Sequence, residues 1–305
     1  MAALLRACLL ILVALSFAGT ADAERNVVVE RDVVYGHKVG LALTYDVVRP
    51  QESANGSGVL FMVSGGWFST WIPPENMVRG ESDQPNPWEA LIDRGFTVFF
   101  VRHGSGEKFT VPEAVDDVRR AALHIRANAK RFSVDPERLG VFGGSAGGHL
   151  SLMLGTTAAK VEMRPNEDSR EQPDTPVVAA VVALFPPTAL ADYVTDEEFR
   201  ERFPALKFDA EIADAVSPLV HVSSDDAPAL LIHGTEDELV PIKHSEQIHA
   251  AFQAQDVPSE LLIIDGAGHS FHGDDERRVI RAMVDWFAHH LLDEADDARL
   301  PQPSR

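Results

Sequence analysis

Apolar positions along the chain follow two patterns that take turns. Residues 27–34 (VVVERDVV) and 41–48 (LALTYDVV) contain period-two alternation, as at Leu41, Leu43 and Tyr45, on either side of a Gly-containing turn at 35–40. That pattern predicts an antiparallel hairpin at a sheet edge. Residues 59–63, 96–101, 139–142, 177–185, 229–232 and 260–264 are short, nearly continuous apolar runs, as expected of strands buried on both faces. Helical spacing marks the stretches between them. Residues 88–94 are stopped by Gly95, and 110–130 place Val111, Val115, Val118, Ala122 and Ile125 on one face. Residues 243–255 follow the same period, as do 276–292 through Val279, Met283, Val284, Phe287 and Leu291. Thr110 and Glu113 form a capping box, with Pro112 in the first turn. Strands alternating with helices predict an α/β fold: a mostly parallel central sheet with helices on both faces.

The irregular stretches divide by composition. Residues 51–58 are a polar loop, and the strand at 59–63 runs into Ser64-Gly65-Gly66-Trp67, where paired glycines let backbone N–H groups face a ligand. Residues 68–87, rich in Pro and polar residues and holding Trp71, are long enough for a binding loop or flap. Residues 160–176 are charged and Pro-bearing, hence a surface excursion. Residues 188–226 carry many acids with isolated aromatics at Tyr193, Phe199, Phe203 and Phe208. They suit either a small helical cap inserted after a strand or a surface detour with a minor core. The tail at 293–305 has the composition of a disordered segment.

Composition adds limits. Arg6 followed by LLILVALSFA, with Ala21-Asp22-Ala23 as an A-x-A site, predicts that residues 1–23 are a cleaved secretory signal. The mature chain would be extracytoplasmic, periplasmic or secreted, with no stable membrane insertion. The one cysteine, Cys8, lies inside that signal, so residues 24–292 must hold together as one α/β domain without disulfides. A formal net charge of −20 over 305 residues repels phosphate backbones, which argues against nucleic acid as a partner. No Cys/His cluster has metal spacing, and His289-His290 is too sparse to count. No cofactor or metal is expected.

The chemistry centres on residues 139–150, LGVFGGSAGGHL. Here Gly143-Gly144-Ser145-Ala146-Gly147 forms a G-x-S-x-G between an apolar strand and a helix marked by Leu150, Met153 and Leu154. A serine on such a turn has its hydroxyl exposed and the next N–H beside it. Side chains at Gly143 or Gly147 would collide with the neighbouring strand or helix. Serine needs a base to take its proton and an acid to orient that base. In an open parallel sheet such groups gather past the carboxyl ends of strands. Asp237 follows the strand at 229–232, and His269 follows the one at 260–264, giving the chain order Ser, Asp, His. His149, one turn beyond Ser145, suits support of the turn, and His233 a packed loop position. His272 is the substitute for His269, and Glu236 and Glu238 flank Asp237. His103 suits either the pocket border or the surface.

The chain resembles the α/β-hydrolase superfamily, close to its acetyl-esterase/lipase members and the feruloyl-esterase-like BD-FAE group. The resemblance runs from about Val33 to Leu291. It is carried by Leu43-Thr44-Tyr45-Asp46-Val47, Ser64-Gly65-Gly66-Trp67, Asp135-Pro136-Glu137-Arg138, 143–150, 233–241 and 266–269. It implies Ser145 as nucleophile, Asp237 as acid and His269 as base. The family's loop usually reads His-Gly-Gly-Gly-Trp, whereas Val63-Ser64-Gly65-Gly66-Trp67 lacks the histidine. That puts the loop's bracing in question. Gly66 and Ala146 are the expected oxyanion donors, and Trp67 and Phe68 the expected substrate contacts. The implied function is hydrolysis of short-acyl carboxylic esters through an acyl-enzyme, on a small-molecule or carbohydrate ester. The alternatives are a peptidase like the prolyl-oligopeptidase catalytic domain and a non-catalytic binding protein that keeps the fold.

Overall fold

A computed structural model describes residues 26–78, 86–157 and 177–292. The signal expected at 1–23, the excursion at 160–176 and the tail at 293–305 lie outside the described residues, as does part of the loop at 68–87. The strands among the described residues form one eight-stranded sheet. They are β1 (Val27–Lys38), β2 (Leu41–Pro50), β3 (Gly58–Met62), β4 (Thr97–Val101), β5 (Leu139–Gly144), β6 (Ala180–Leu184), β7 (Ala229–Gly234) and β8 (Ser259–Ile264). Their order across the sheet is β1-β2-β4-β3-β5-β6-β7-β8. β1 with β2 and β2 with β4 run antiparallel, and every later pairing is parallel.

The edge hairpin differs from its expected form. Both strands extend further, and the turn shrinks to Val39 and Gly40, whose φ values are 49° and 80°. Two successive positive φ values make the tight turn whose twist matches that of the strands. Irregularities in register at Glu30/Val33 and Val34/Gly36 break the alternation, which is why the pattern alone ends the first strand too early.

The helices are α1 (Pro74–Val78), α2 (Pro87–Asp93), α3 (Val111–Ala127), α4 (Ala146–Thr156), α5 (Ala191–Thr195), α6 (Glu197–Arg202), α7 (Lys243–Ala254) and α8 (Gly273–Leu291). α3 begins where the Thr110 N–H donates to Glu113 Oε2 at 2.9 Å. It stops at Ala127, short of 130, because the Asn128 side chain donates to the His124 carbonyl at 2.8 Å and the chain tightens into a 3₁₀ turn. The sheet is covered on both faces. Leu60 and Met62 join Val115, Val118, Leu150, Met153, Ile248 and Phe252 from α3, α4 and α7. Val59 and Val98 join Leu91, Val279, Met283 and Phe287 from α2 and α8. Between β6 and β7, residues 188–226 fold into α5, α6 and several 3₁₀ turns. Their Leu190, Val194, Leu206 and Val216 belong to the same core as α3 and α4.

Two buried ion pairs fix the chain leaving β4. Arg102 Nη1 meets Asp46 Oδ2 at 2.5 Å, and Lys38 Nζ meets Asp117 Oδ2 at 2.6 Å, both carboxylates being fully buried. Asp117 also accepts the Gly104 N–H at 2.9 Å, and Tyr35 donates its hydroxyl to the Arg102 carbonyl at 2.5 Å.

On β5, a Cβ at Gly140 would lie 2.6 Å from a ring carbon of Phe287 on α8. Gly140→Ala is therefore expected to lower stability by about 1–3 kcal/mol through overpacking. Urea unfolding should show a lower midpoint with an unchanged slope; an unaltered midpoint would contradict this packing.

Candidate active site

The turn from β5 into α4 is held in a conformation that L-residues rarely adopt. Ser145 has φ 54° and ψ −120°, a strained geometry that persists only when its surroundings over-determine it. Its N–H donates to the Leu184 carbonyl on β6 at 2.9 Å, and its own carbonyl accepts the His149 N–H at 2.9 Å. The flanking glycines are required sterically. A Cβ at Gly143 would lie 2.5 Å from the Gly147 carbonyl carbon, and one at Gly147 would lie 2.8 Å from the Met62 carbonyl oxygen on β3.

The loop after β3 closes one side. Gly66 and Trp67 both have positive φ, 56° and 59°, and Gly65 and Phe68 exchange backbone hydrogen bonds at 2.9 and 3.0 Å. Trp67 is buried and donates its indole N–H to His149 Nδ1 at 3.3 Å, while His149 Nε2–H donates to the Val216 carbonyl at 2.7 Å. Both ring nitrogens of His149 are thus engaged in the neutral form, and burial lowers its pKa to about 4. It braces the loop.

His103 is neither at the pocket border nor at the surface, contrary to both expectations. It is buried behind the loop, where the ion pairs at the end of β4 fix its backbone. Its Nδ1 lies 2.7 Å from the Gly104 carbonyl, which can only accept, so Nδ1 carries the proton. Nε2 therefore accepts from the Ser64 hydroxyl at 2.8 Å. Burial holds its pKa below the ordinary value, which favours this acceptor state. The bracing of the Ser64–Trp67 loop comes from the neighbouring strand, a through-space pairing that leaves no local motif.

Asp237 and His269 meet on the loops after β7 and β8. Asp237 Oδ2 accepts from His269 Nδ1 at 2.7 Å, and Oδ1 accepts the N–H groups of Leu239 and Val240 at 3.0 and 2.9 Å. His233 Nε2 lies 3.4 Å from Asp237 Oδ2 and donates to the Val240 carbonyl at 2.8 Å. Burial alone would raise the Asp237 carboxyl, but hydrogen bonds from His233, His269 and Val240 bring it well below the usual carboxylate range. Glu236 and Glu238 are exposed. His272 is also exposed, 3.1 Å from the Ser270 hydroxyl. The Glu236 N–H bonds the Ala267 carbonyl at 2.9 Å, and any Cβ at Gly234 would run into that carbonyl.

His269 Nε2 is buried and has no hydrogen-bond partner among the described residues. With Nδ1–H directed to Asp237, the lone pair of the neutral ring falls on Nε2. Ser145 and His269 abut the two halves of one dipeptide: Ser145 through the Leu184 carbonyl, His269 through the Phe185 ring at 4.5 Å between centroids. The Ser145 hydroxyl and His269 do not hydrogen-bond here, as is common before substrate arrives.

Ser145 lines a cleft of about 310 Å³ when the space open to solvent is counted with it. The main fold contributes Gly66, Trp67, Pro187, Leu239 and Val240; residues 188–226 contribute Tyr193, Phe199, Phe203 and Leu206. Phe203 lies over Gly66, 2.6 Å from where a Cβ would stand. Ala146 is buried immediately behind Ser145. Phe68 does not line this cleft; its ring packs against Gly106 instead. Among the described residues no three His, Cys, Asp or Glu side chains gather as a metal site. Of the two readings of 188–226, a cap or a surface detour, the structure has the cap; that its Tyr193, Phe199, Phe203 and Leu206 line the cleft beside Ser145 is what the sequence left unread, its trace being the isolated aromatics.

The BD-FAE family model matches residues 45–252. The chain is 29% identical over 225 residues to a probable carboxylic ester hydrolase, LipM, of Mycobacterium tuberculosis (strain ATCC 25618 / H37Rv), covering 70% of this chain and 49% of that protein. It is 27% identical over 235 residues to the esterase LipQ of the same organism, covering 73% and 52%. The chain thus spans about half the length of these two relatives. A truncated form of a carbohydrate esterase from gut microbiota superposes with a TM-score of 0.68 at 23% identity, covering 88% of this chain and 98% of that one.

Gly234→Ala is expected to part the two loops, lengthening the Asp237–His269 contact while leaving the sheet intact. Loss of the downfield proton resonance of that hydrogen bond, with near-native circular dichroism, would show it; an unchanged resonance would count against it.

Acid sensitivity follows from the buried imidazoles. His149 and His244 are lowered by burial to about 4 in the folded protein, against about 6.5 unfolded. Above pH 6.5 both states are neutral; between 6.5 and 4 only the unfolded state takes up the proton, so stability falls as pH drops. Each histidine removes up to about 1.4 kcal/mol per pH unit in that window. Asp226, raised to about 6 chiefly by burial, opposes this in part. Urea unfolding should give a constant free energy from pH 8 to 7 and a clear loss by pH 5; a flat profile to pH 5 would refute the assignment.

Proposed function

The chain belongs to the BD-FAE family and has the α/β-hydrolase fold, and on that premise we propose that it is an exported serine esterase cleaving short-acyl carboxylic esters, including esters of carbohydrate. The carrying observation is the buried, unpartnered Nε2 of His269, whose other nitrogen is tied to Asp237, together with the strained turn that presents Ser145 to the cleft.

In this reading the ester carbonyl lies against Ser145. The Ser145 hydroxyl attacks it as His269 Nε2 takes the proton, and Asp237 stabilises the resulting imidazolium and keeps the ring in one tautomer. Negative charge moves to the carbonyl oxygen, where the N–H groups of Ala146 and Gly66 receive it, each contributing about 3 kcal/mol. The imidazolium returns its proton to the departing alcohol. Water, activated by the same imidazole, then frees the acid from the acyl-enzyme. Ser64 and His103 keep the Gly66 N–H in place. Phe203, lying across Gly66 with Phe199 and Leu206 beside it, limits the acyl chain. Residues 1–23 serve as the export signal.

Turnover of p-nitrophenyl esters should fall from acetate through butyrate to octanoate. Ser145→Ala should lose at least about a thousandfold in kcat, and Phe203→Ala should raise octanoate relative to acetate. No turnover on any ester, or full activity in Ser145→Ala, would overturn the proposal.

A further inference from the structure

His244, on α7, is buried beneath residues 188–226 and takes no part in the mechanism above. Its Nδ1 lies 3.2 Å from the backbone nitrogen of Thr188, which can only donate. A lone pair must therefore sit on Nδ1. The Thr188 hydroxyl is engaged with the His244 carbonyl at 3.0 Å. A neutral imidazole with its lone pair on Nδ1 carries its proton on Nε2, and Nε2 lies 2.9 Å from the Tyr193 hydroxyl oxygen. The direction of that bond is fixed: His244 donates and Tyr193 accepts. Burial lowers His244 to about 4 and raises Tyr193 to about 12, so both stay neutral across the working pH range.

The phenol proton of Tyr193 then has no acceptor among the described residues. The ring is held in place, stacked on His244 at 5.5 Å and meeting the Phe199 ring at 4.8 Å. Tyr193 lines the cleft with Ser145. The other side chains there offer no competing donor: Trp67 has given its N–H to His149, and Phe199, Phe203, Leu206 and Val240 are apolar. Among the described residues that line the cleft, Tyr193 is, apart from Ser145, the only side chain with a hydrogen left to give. A fixed donor in an apolar cleft discriminates strongly, because it is desolvated whether or not the ligand can satisfy it.

We propose that Tyr193 is a specificity-determining residue, oriented by His244, whose hydroxyl donates to an oxygen on the alcohol part of the substrate. This rests on the esterase reading and narrows it to esters of polyhydroxylated alcohols. The apolar face of a sugar ring would pack on Phe199 and Trp67 while one of its oxygens accepts from Tyr193.

The test compares a mono-acetylated methyl glycoside with p-nitrophenyl acetate as substrates of the full chain and of Tyr193→Phe. The glycoside-to-aryl ratio of kcat/KM should fall about fivefold to tenfold in the variant, as expected for one neutral hydrogen bond. The change should lie in KM. A ratio unchanged in Tyr193→Phe would overturn the proposal while leaving the esterase reading intact. A wild-type series in which the glycoside's hydroxyls are removed one at a time tests the same contact without any substitution. One deoxy analogue should show the KM increase, and equal KM values across the series would overturn the proposal. Absence of turnover on both substrates by the wild-type protein would overturn the esterase reading itself, and this proposal with it.

Discussion

A helix can begin directly above a buried strand only if nothing projects between them, and the site depends on that close approach. Gly143 and Gly147 let α4 start against β5 and β3, which forces Ser145 into its strained turn. The conformation is over-determined from several sides: its N–H is taken by β6, its carbonyl by the next turn of α4, and β3 stands beneath Gly147. α4 itself is buried along its whole length, so the strain is set against extensive packing. Positive φ at Gly66, Trp67 and Phe185 on the adjoining strand ends shows the same economy around the cleft.

The imidazoles form a second layer of order. His103, His149, His233 and His244 are each buried and bonded at both ring nitrogens to groups that fix their tautomers or share their protons. They serve as rigid, uncharged spacers between loops: His149 under Trp67, His103 under Ser64, His233 under the Asp237 loop, His244 under Tyr193. His269 differs in being partly exposed and in its unpartnered Nε2. In a low-dielectric setting a single unpaired nitrogen on a ring hydrogen-bonded to a buried carboxylate stands out energetically, and that ring packs against Phe185.

Much of this was legible in the residues. The sheet, its helices and the positions past the ends of β5, β7 and β8 follow from apolar periodicity and glycine placement, because both are local and repeat. Gly143 and Gly147 announced a close approach by their spacing alone. The hairpin turn was less legible, since the irregularities near Asp32 and Gly36 interrupt the alternation that would have carried β1 to Lys38. Residues 188–226 were the least legible. Short helices and 3₁₀ turns have no sustained period, so which way Tyr193, Phe199 and Phe203 point is decided by packing against distant strands. The role of His103 depends on Ser64 past the end of the neighbouring strand, thirty-nine positions away, and Phe68, adjacent to Trp67 at positive φ, turns toward Gly106.

The segment over the cleft shares its hydrophobic residues with the α3–α4 layer, and its Val216 carbonyl holds the His149 ring that in turn holds Trp67. Wall and machinery are thereby a single mechanical body. A lineage cannot exchange this segment as a cassette to gain a new substrate without disturbing the loop beside Ser145. Divergence here should proceed by small coordinated steps, in which each change of pocket shape is accompanied by repacking beneath it. Selectivity and rate are in that sense inherited together.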